Sequence, residues 1–304
     1  MQHNLDFASD NWAGVSQPVI DAILAAMEHT RALGVEAASS ELPEPTVLVD
    51  ERLELTVGDR ELVLIATPGG ETFDSLVIWL PQTATLLSGN LTGPLFGHVP
   101  NLVTIRGDRY RDALTYIDSL EVLKELRPER LLTGHFDPIE GADRIAEEVD
   151  AMQEAMRWVH DRTVDGMNAG TDVWELMRTV TVPDHLDVGE GYGKTPWNVR
   201  AIWENYAGWF HHQSTAELYP DAVEPVSAHL VELAGADALA DRARALLEDG
   251  DPVNSIRLAE MVTAVQDDHA GAIGVLRGAH ELLLEESTNF WESAWLRERI
   301  KELS

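Results

Sequence analysis

Leu131-Leu132-Thr133-Gly134-His135-Phe136-Asp137-Pro138 decides the reading of this chain: a short strand-forming run, a glycine, and then a histidine at the head of a loop. The same construction occurs earlier in Thr67-Pro68-Gly69-Gly70-Glu71-Thr72, which follows the aliphatic run 62–66 and presents Glu71. Each is a lone metal-capable side chain in a glycine-rich loop directly after a short apolar strand. Loops fixed to strand ends are where a rigid scaffold carries its chemistry. The two stretches therefore point to one shared site at one end of a sheet.

The surrounding sequence supports such a sheet. Runs 46–49, 53–57, 62–66, 76–80, 85–87 and 131–133 are short, aliphatic or β-branched, and punctuated by turn residues, as strands are. A helix is expected over 109–126, and from Gly141 onward the pattern is helical almost to the end. The expected helices are 142–167, 172–179, 197–213, 223–233, 237–248, 252–265, 270–284 and 289–302. The stretch from Leu246 to Ala270 has the rhythm of a tetratricopeptide-like helix pair. Residues 1–45 form a separate piece. Ser16 caps a helix there, Pro18 sits in its first turn, Val19, Ile20, Ile23, Leu24 and Met27 make its apolar face, and Glu41-Leu42-Pro43-Glu44-Pro45 is a stiff linker. The fold class is α+β, organised as 1–45, a β-rich part over 46–141 and a helical domain over 142–304.

Composition narrows the partners. Twenty-two basic against 53 acidic residues give a net charge of −31, and the only lysines are Lys124, Lys194 and Lys301. Such a surface repels phosphate backbones and anionic lipids, so neither nucleic acid nor membrane is an expected partner. The chain has no cysteine, which excludes thiolate zinc sites and a cysteine nucleophile. No apolar run approaches the ~20 residues that span a bilayer, and the N-terminus has no basic or apolar leader region. The expectation is a soluble, cytoplasmic protein.

Three blocks carry a family resemblance: 67–76 around Glu71, 100–108 (Pro100-Asn101-Leu102-Val103-Thr104-Ile105-Arg106-Gly107-Asp108) closing at Gly134-His135, and 192–210 with Trp197-Asn198-Val199-Arg200-Ala201-Ile202-Trp203-Glu204-Asn205-Tyr206. Together they resemble the alkylsulfatase branch of the metallo-β-lactamase-fold hydrolases, over about 85% of the chain. The resemblance implies the later part of an αββα sandwich followed by a helical dimerisation domain. It implies hydrolysis of alkyl sulfate monoesters at a binuclear zinc site, with Glu71 and His135 as ligands, one for each metal. Asn90, in Ser88-Gly89-Asn90, stands where the family has an acidic residue bridging the metals. It is either a weakened ligand or an ordinary turn residue. By the same resemblance Asn101 and Arg106 hold the sulfate group and Tyr192 lines the substrate pocket. The alternatives are an Arg106 ion pair with Asp108 or Asp112, and Tyr192 as a packed aromatic between two glycines. Separately, Phe7-Ala8-Ser9-Asp10-Asn11-Trp12-Ala13-Gly14-Val15 resembles the start of bacterial threonine aldolases, but none of the three lysines lies in the context that pyridoxal phosphate needs.

The chain departs from the resemblance at one decisive place: it contains no His-x-His-x-Asp-His cluster. His211-His212 are expected on a helix, pointing about 100° apart, and cannot replace it. Two firm ligands plus an amide fall short of the three protein ligands usual for catalytic zinc. Two readings follow. One is a hydrolase of sulfate esters with weak or no turnover. The other is a non-catalytic dimerising scaffold. On either reading the chain is expected to be a homodimer through the helical half near Trp203–Phe210, where Trp203, Tyr206 and Phe210 fall at i, i+3 and i+7 on a face that is core or, by the resemblance, a subunit interface.

Overall fold

A computed structural model describes residues 47–70, 72–103, 105, 109–219 and 224–304. The readings made for 1–46, including the aldolase-like segment, and those for Glu71 and Arg106, lie outside the described residues. The chain divides into two compact units. The first runs to Gly189 and takes in Gly193–Tyr206, and the second comprises Glu190–Tyr192 and Ala207–Ser304.

The first unit is built on a six-stranded sheet in the order β1 (Arg52–Val57), β2 (Arg60–Ala66), β3 (Leu76–Leu80), β4 (Thr85–Gly89), β5 (Arg130–Thr133) and β6 (Ile139–Glu140). All neighbours are antiparallel except β4 and β5, which are parallel. A parallel pair needs a crossover, supplied here by α1 (Ala113–Leu126). Strand alternation sorts the side chains by face. Val63, Val77, Leu86 and Leu131 are buried on one face. On the other, Leu53, Leu64, Ile78, Leu87 and Leu132 stay partly exposed. Buried Tyr116, Ile117, Leu120 and Leu123 of α1, with Ile145, Val149, Met152 and Met156 of α2 (Ala142–Asn168), complete the core.

Two more helices belong to this unit, α3 (Val173–Thr179) and α4 (Thr195–Ala207). The change from strands to helices at 141/142, taken from sequence as the boundary between a 46–141 and a 142–304 domain, thus falls inside it. The physical reason is the seam between α1 and α2. Lys124 Nζ lies 2.7 Å from Asp150 and 3.4 Å from Glu121. Gln153 donates to Glu121 and to the Ile117 carbonyl, both at 3.0 Å.

Three expectations are corrected. Residues 47–49 are not a strand, and Val47 and Leu48 are exposed. Helix α1 starts at Ala113 rather than Arg109, because Asp112 caps it by accepting from Thr115 N at 2.8 Å. Helix α4 ends at Ala207, since Gly208 turns left-handed at φ 78°. His211 and His212 are therefore not helical, and Phe210 shares no helix face with Trp203 and Tyr206. Trp203 is buried and Tyr206 exposed.

The second unit holds α5 (Glu224–Ala234), α6 (Ala236–Glu248), α7 (Pro252–Thr263), α8 (Ala270–Glu286) and α9 (Phe290–Glu302). Small side chains let α6, α7 and α8 approach closely around Ala240, Ala243, Ala259, Val262, Ala272, Val275 and Leu276. Ser255 donates to the Ala243 carbonyl at 2.8 Å, so its hydroxyl is buried but satisfied. The segment 190–192 is bound into this unit by Asn289, whose amide donates to the carbonyls of Glu190 (2.8 Å) and Tyr192 (3.0 Å).

Candidate metal and anion site

Strand directions bring the quoted loops together. β2 and β4 are both antiparallel to β3, and β5 is parallel to β4. The loops that leave the C-terminal ends of β2, β4 and β5 therefore emerge at one end of the sheet, and they are the loops of Glu71, Asn90 and His135. Asn90 and His135 follow adjacent strands. Gly134 N donates to the Gly89 carbonyl at 2.8 Å, and a Cβ on Gly134 would lie 2.1 Å from Asn90 Oδ1. A side chain before His135 would have to displace the Asn90 amide, which occupies that space. The β2 loop closes on the same place: a Cβ on Gly70, the residue before Glu71, would meet Leu91 at 2.6 Å. The imidazole of His135 is exposed beside Phe136, their ring centroids 6.4 Å apart.

Polar atoms are buried here without partners among the described residues. They are Thr67 Oγ1 after β2, Ser88 Oγ in β4, and Asn90 Oδ1, Thr92 Oγ1 and both amide atoms of Asn101 beyond it. A buried polar group left unpaired costs about 1–3 kcal/mol, so each of these atoms calls for a polar partner. Asn101 is the strongest case, at 2% exposure. Among the described residues its side-chain donor and acceptor have no partner, while its backbone is fixed. Its carbonyl accepts from Arg111 Nη1. On either side, Asn198 Nδ2 donates to the Pro100 carbonyl at 2.8 Å and Asn198 Oδ1 accepts from Leu102 N at 3.0 Å. Arg111 N in turn donates to the Leu102 carbonyl at 2.8 Å, and Asn205 holds the Arg111 carbonyl at 3.0 Å.

Burial pushes the Tyr116 phenol well up, so it stays a neutral hydroxyl under the β2 loop. Tyr110 is also raised, first by burial and then by its hydrogen bond to Glu204. Glu204 itself is paired with Arg200 at 2.7 Å.

The anchoring pair Asn198 and Arg111 was not singled out from sequence. The signal was a lone amide among Trp197, Val199, Ala201 and Ile202 on a helix, a polar residue at an apolar position. Tyr192 belongs to the second unit, buried with its ring 5.9 Å from Trp291. The His135 and Asn90 loops are thus joined, the Asn101 amide is fixed and unpaired, and Tyr192 is a packed aromatic.

The residues fit a metal poorly. Among the described residues no three His, Asp or Glu side chains are grouped as a metal ion requires. Asn90 offers one neutral acceptor where a bridging anion would be needed, and its oxygen is turned onto the backbone of Gly134.

Comparison with known proteins adds the following. A family model described as alkyl sulfatase dimerisation matches residues 173–303. The chain is similar to a linear primary-alkylsulfatase of a Pseudomonas species, 31% identical over 172 residues, covering 55% of this chain and 32% of that one. It is similar to an (R)-specific secondary-alkylsulfatase of Pseudomonas, 28% identical over 271 residues, with 85% and 40% covered. It superimposes on the stereoselective inverting sec-alkylsulfatase of Pseudomonas with a TM-score of 0.78 at 25% identity, covering 86% of this chain and 42% of that one. The chain spans less than half the length of these relatives.

Proposed function

We propose, from the premise that this chain is a partial alkylsulfatase-like protein with an alkyl sulfatase dimerisation domain, that it binds alkyl sulfate monoesters and hydrolyses them weakly or not at all. The observation that carries the binding is the Asn101 amide, buried, unpaired among the described residues and immobilised by Asn198 and Arg111. An amide N–H fits one oxygen of a tetrahedral anion, and Arg106, by resemblance, supplies the charged fork. The zinc pair of the resemblance would draw on Glu71, Asn90 and His135, and these do not make a catalytic zinc site. Ground-state binding alone does not accelerate a reaction.

Calorimetry with octyl sulfate below its micelle concentration tests the reading. Asn101→Ala should weaken binding by about 10–100-fold, the size of a hydrogen bond to a charged group. Equal affinity in wild type and variant sinks it. Hydrolysis assayed with added zinc, beside His135→Ala, should stay at background in both. Zinc-dependent turnover lost in the variant would mean that another chain or segment completes the metal site.

A second reading, a dimerising scaffold, is favoured by the family match over 173–303 beside the neutral amide of Asn90. It shares the homodimer with the first and differs in predicting no affinity for the ester.

A further inference from the structure

The chain reverses between antiparallel β5 and β6 over the short loop from Gly134 to Pro138. The start of this loop is pinned. Gly134 N donates to the Gly89 carbonyl at 2.8 Å, and Thr133 Oγ1 donates to the His135 carbonyl. The next residue turns left-handed, at φ 63°. Glycine takes that conformation freely, whereas a Cβ crowds the following carbonyl. The sequence puts Phe136 there, and burial does not offset the strain, because Phe136 is 79% exposed. Strain of this kind collects where a side chain is held out for binding. A second observation stands beside it. Among the described residues, the phenylalanines that the first unit exposes are Phe136 and Phe73. Phe73 is 50% exposed and lies in the turn Thr72–Ser75, where Ser75 Oγ accepts from Thr72 N at 3.1 Å. That turn belongs to the connection from β2 to β3. Both phenylalanines therefore stand on loops at the one end of the sheet where the β4 connection, which carries Asn90 and Asn101, also emerges.

We propose that Phe73 and Phe136 bind the hydrocarbon tail of an alkyl sulfate whose head is held by the Asn101 amide. The inference rests on the binding reading above and adds to it the residues that set the preference for chain length. Aromatic rings suit this occupant. They offer large apolar area to methylene groups, and the contact is non-directional, so tails of different length slide along the same rings. The charge of the protein makes such contact necessary. At −31 the chain repels an anionic amphiphile at long range, and burial of the tail supplies attraction that is independent of charge.

Calorimetry of the full chain with hexyl, octyl and decyl sulfate, each below its micelle concentration, tests the inference. Wild-type affinity should rise about two- to fourfold for each added methylene. With Phe73→Ala and Phe136→Gly combined, most of that rise should disappear, and hexyl sulfate should change least. Phe136→Gly alone should unfold in urea at or above the wild-type midpoint, because glycine relieves the left-handed strain, so its weaker binding does not come from a damaged fold. Asn101→Ala should lower the affinity for all three esters by a similar factor, since it acts on the shared head. Phe290→Ala removes an exposed phenylalanine of the second unit and should keep the wild-type dependence on chain length. An unchanged dependence in the double variant overturns the inference and leaves the binding reading standing. An equal loss in Phe290→Ala overturns it too, by showing that the tail adheres to any exposed ring. If none of the three esters binds the wild type, the binding reading falls and takes this inference with it.

Discussion

Asn198 shows what a single amide does here. It is fully buried in α4, yet both ends of its side chain serve backbone groups nearly a hundred positions earlier, the Pro100 carbonyl and the Leu102 amide. Asn198→Ala leaves two buried groups unpaired at about 1–3 kcal/mol each. The expected loss in urea unfolding is therefore about 2–6 kcal/mol, accompanied by loss of octyl sulfate binding because Asn101 lies between the two anchored groups. A change under ~0.5 kcal/mol in Asn198→Ala would contradict the anchoring. This residue also marks what sequence alone withholds. The loop positions of Asn90 and His135 were legible because each follows its own strand, a local signal. The bond between Asn198 and 100–102 exists only after the chain has folded.

Among elements, the α1–α2 seam has a strength that depends on pH. The Glu121 carboxyl is held below its ordinary value, first by the hydrogen bond from Gln153, with Lys124 adding to it. The Lys124 ammonium is raised, chiefly by Asp150. A carboxylate lowered on folding adds stability above its unfolded value and loses it as the pH falls through the lower folded value. Gln153→Leu removes the main cause. It should therefore be less stable than wild type at neutral pH, and the gap should narrow when both are acidified below about pH 4. Urea midpoints at the two pH values check this, and a constant gap would mean that Gln153 does not act through Glu121. The elements themselves were largely readable. Strands 62–66 and 76–80 and most helices were expected within a few residues, because aliphatic period and turn residues are local. The misreadings have local causes as well. Gly208, a helix stop signal, lies inside the run expected as helical over 197–213, between Tyr206 and Phe210. Val47 and Leu48 are β-formers without a partner strand, so propensity did not become structure.

At the scale of the whole molecule, net charge sets the conditions under which the chain associates. With −31 per chain, two copies repel across any interface, and salt screens that repulsion. Light scattering should give about twice the 33.6 kDa chain mass, with dimer affinity rising as sodium chloride is increased. A monomer at all salt concentrations would remove the homodimer from both functional readings. The path of the chain between its two units also constrains how the protein can be taken apart. Polypeptide passes from one to the other at 189/190, back at 192/193, and over again at 206/207. No single cut in the gene can therefore separate them. A fragment beginning at Ala207 would lack Glu190–Tyr192, exposing the indole of Trp291 and leaving the Asn289 amide without its two carbonyls. One ending at Tyr206 would retain that tripeptide as a loop with nowhere to fold. Expressed alone, the 207–304 piece should melt well below its counterpart in the full chain and regain part of the difference when a peptide of residues 188–194 is added. Protease nicking inside 207–223 should leave the two halves copurifying. For anyone wishing to graft this helical region onto another protein, the transferable unit is a discontinuous one, and a circularly permuted gene is the way to carry it.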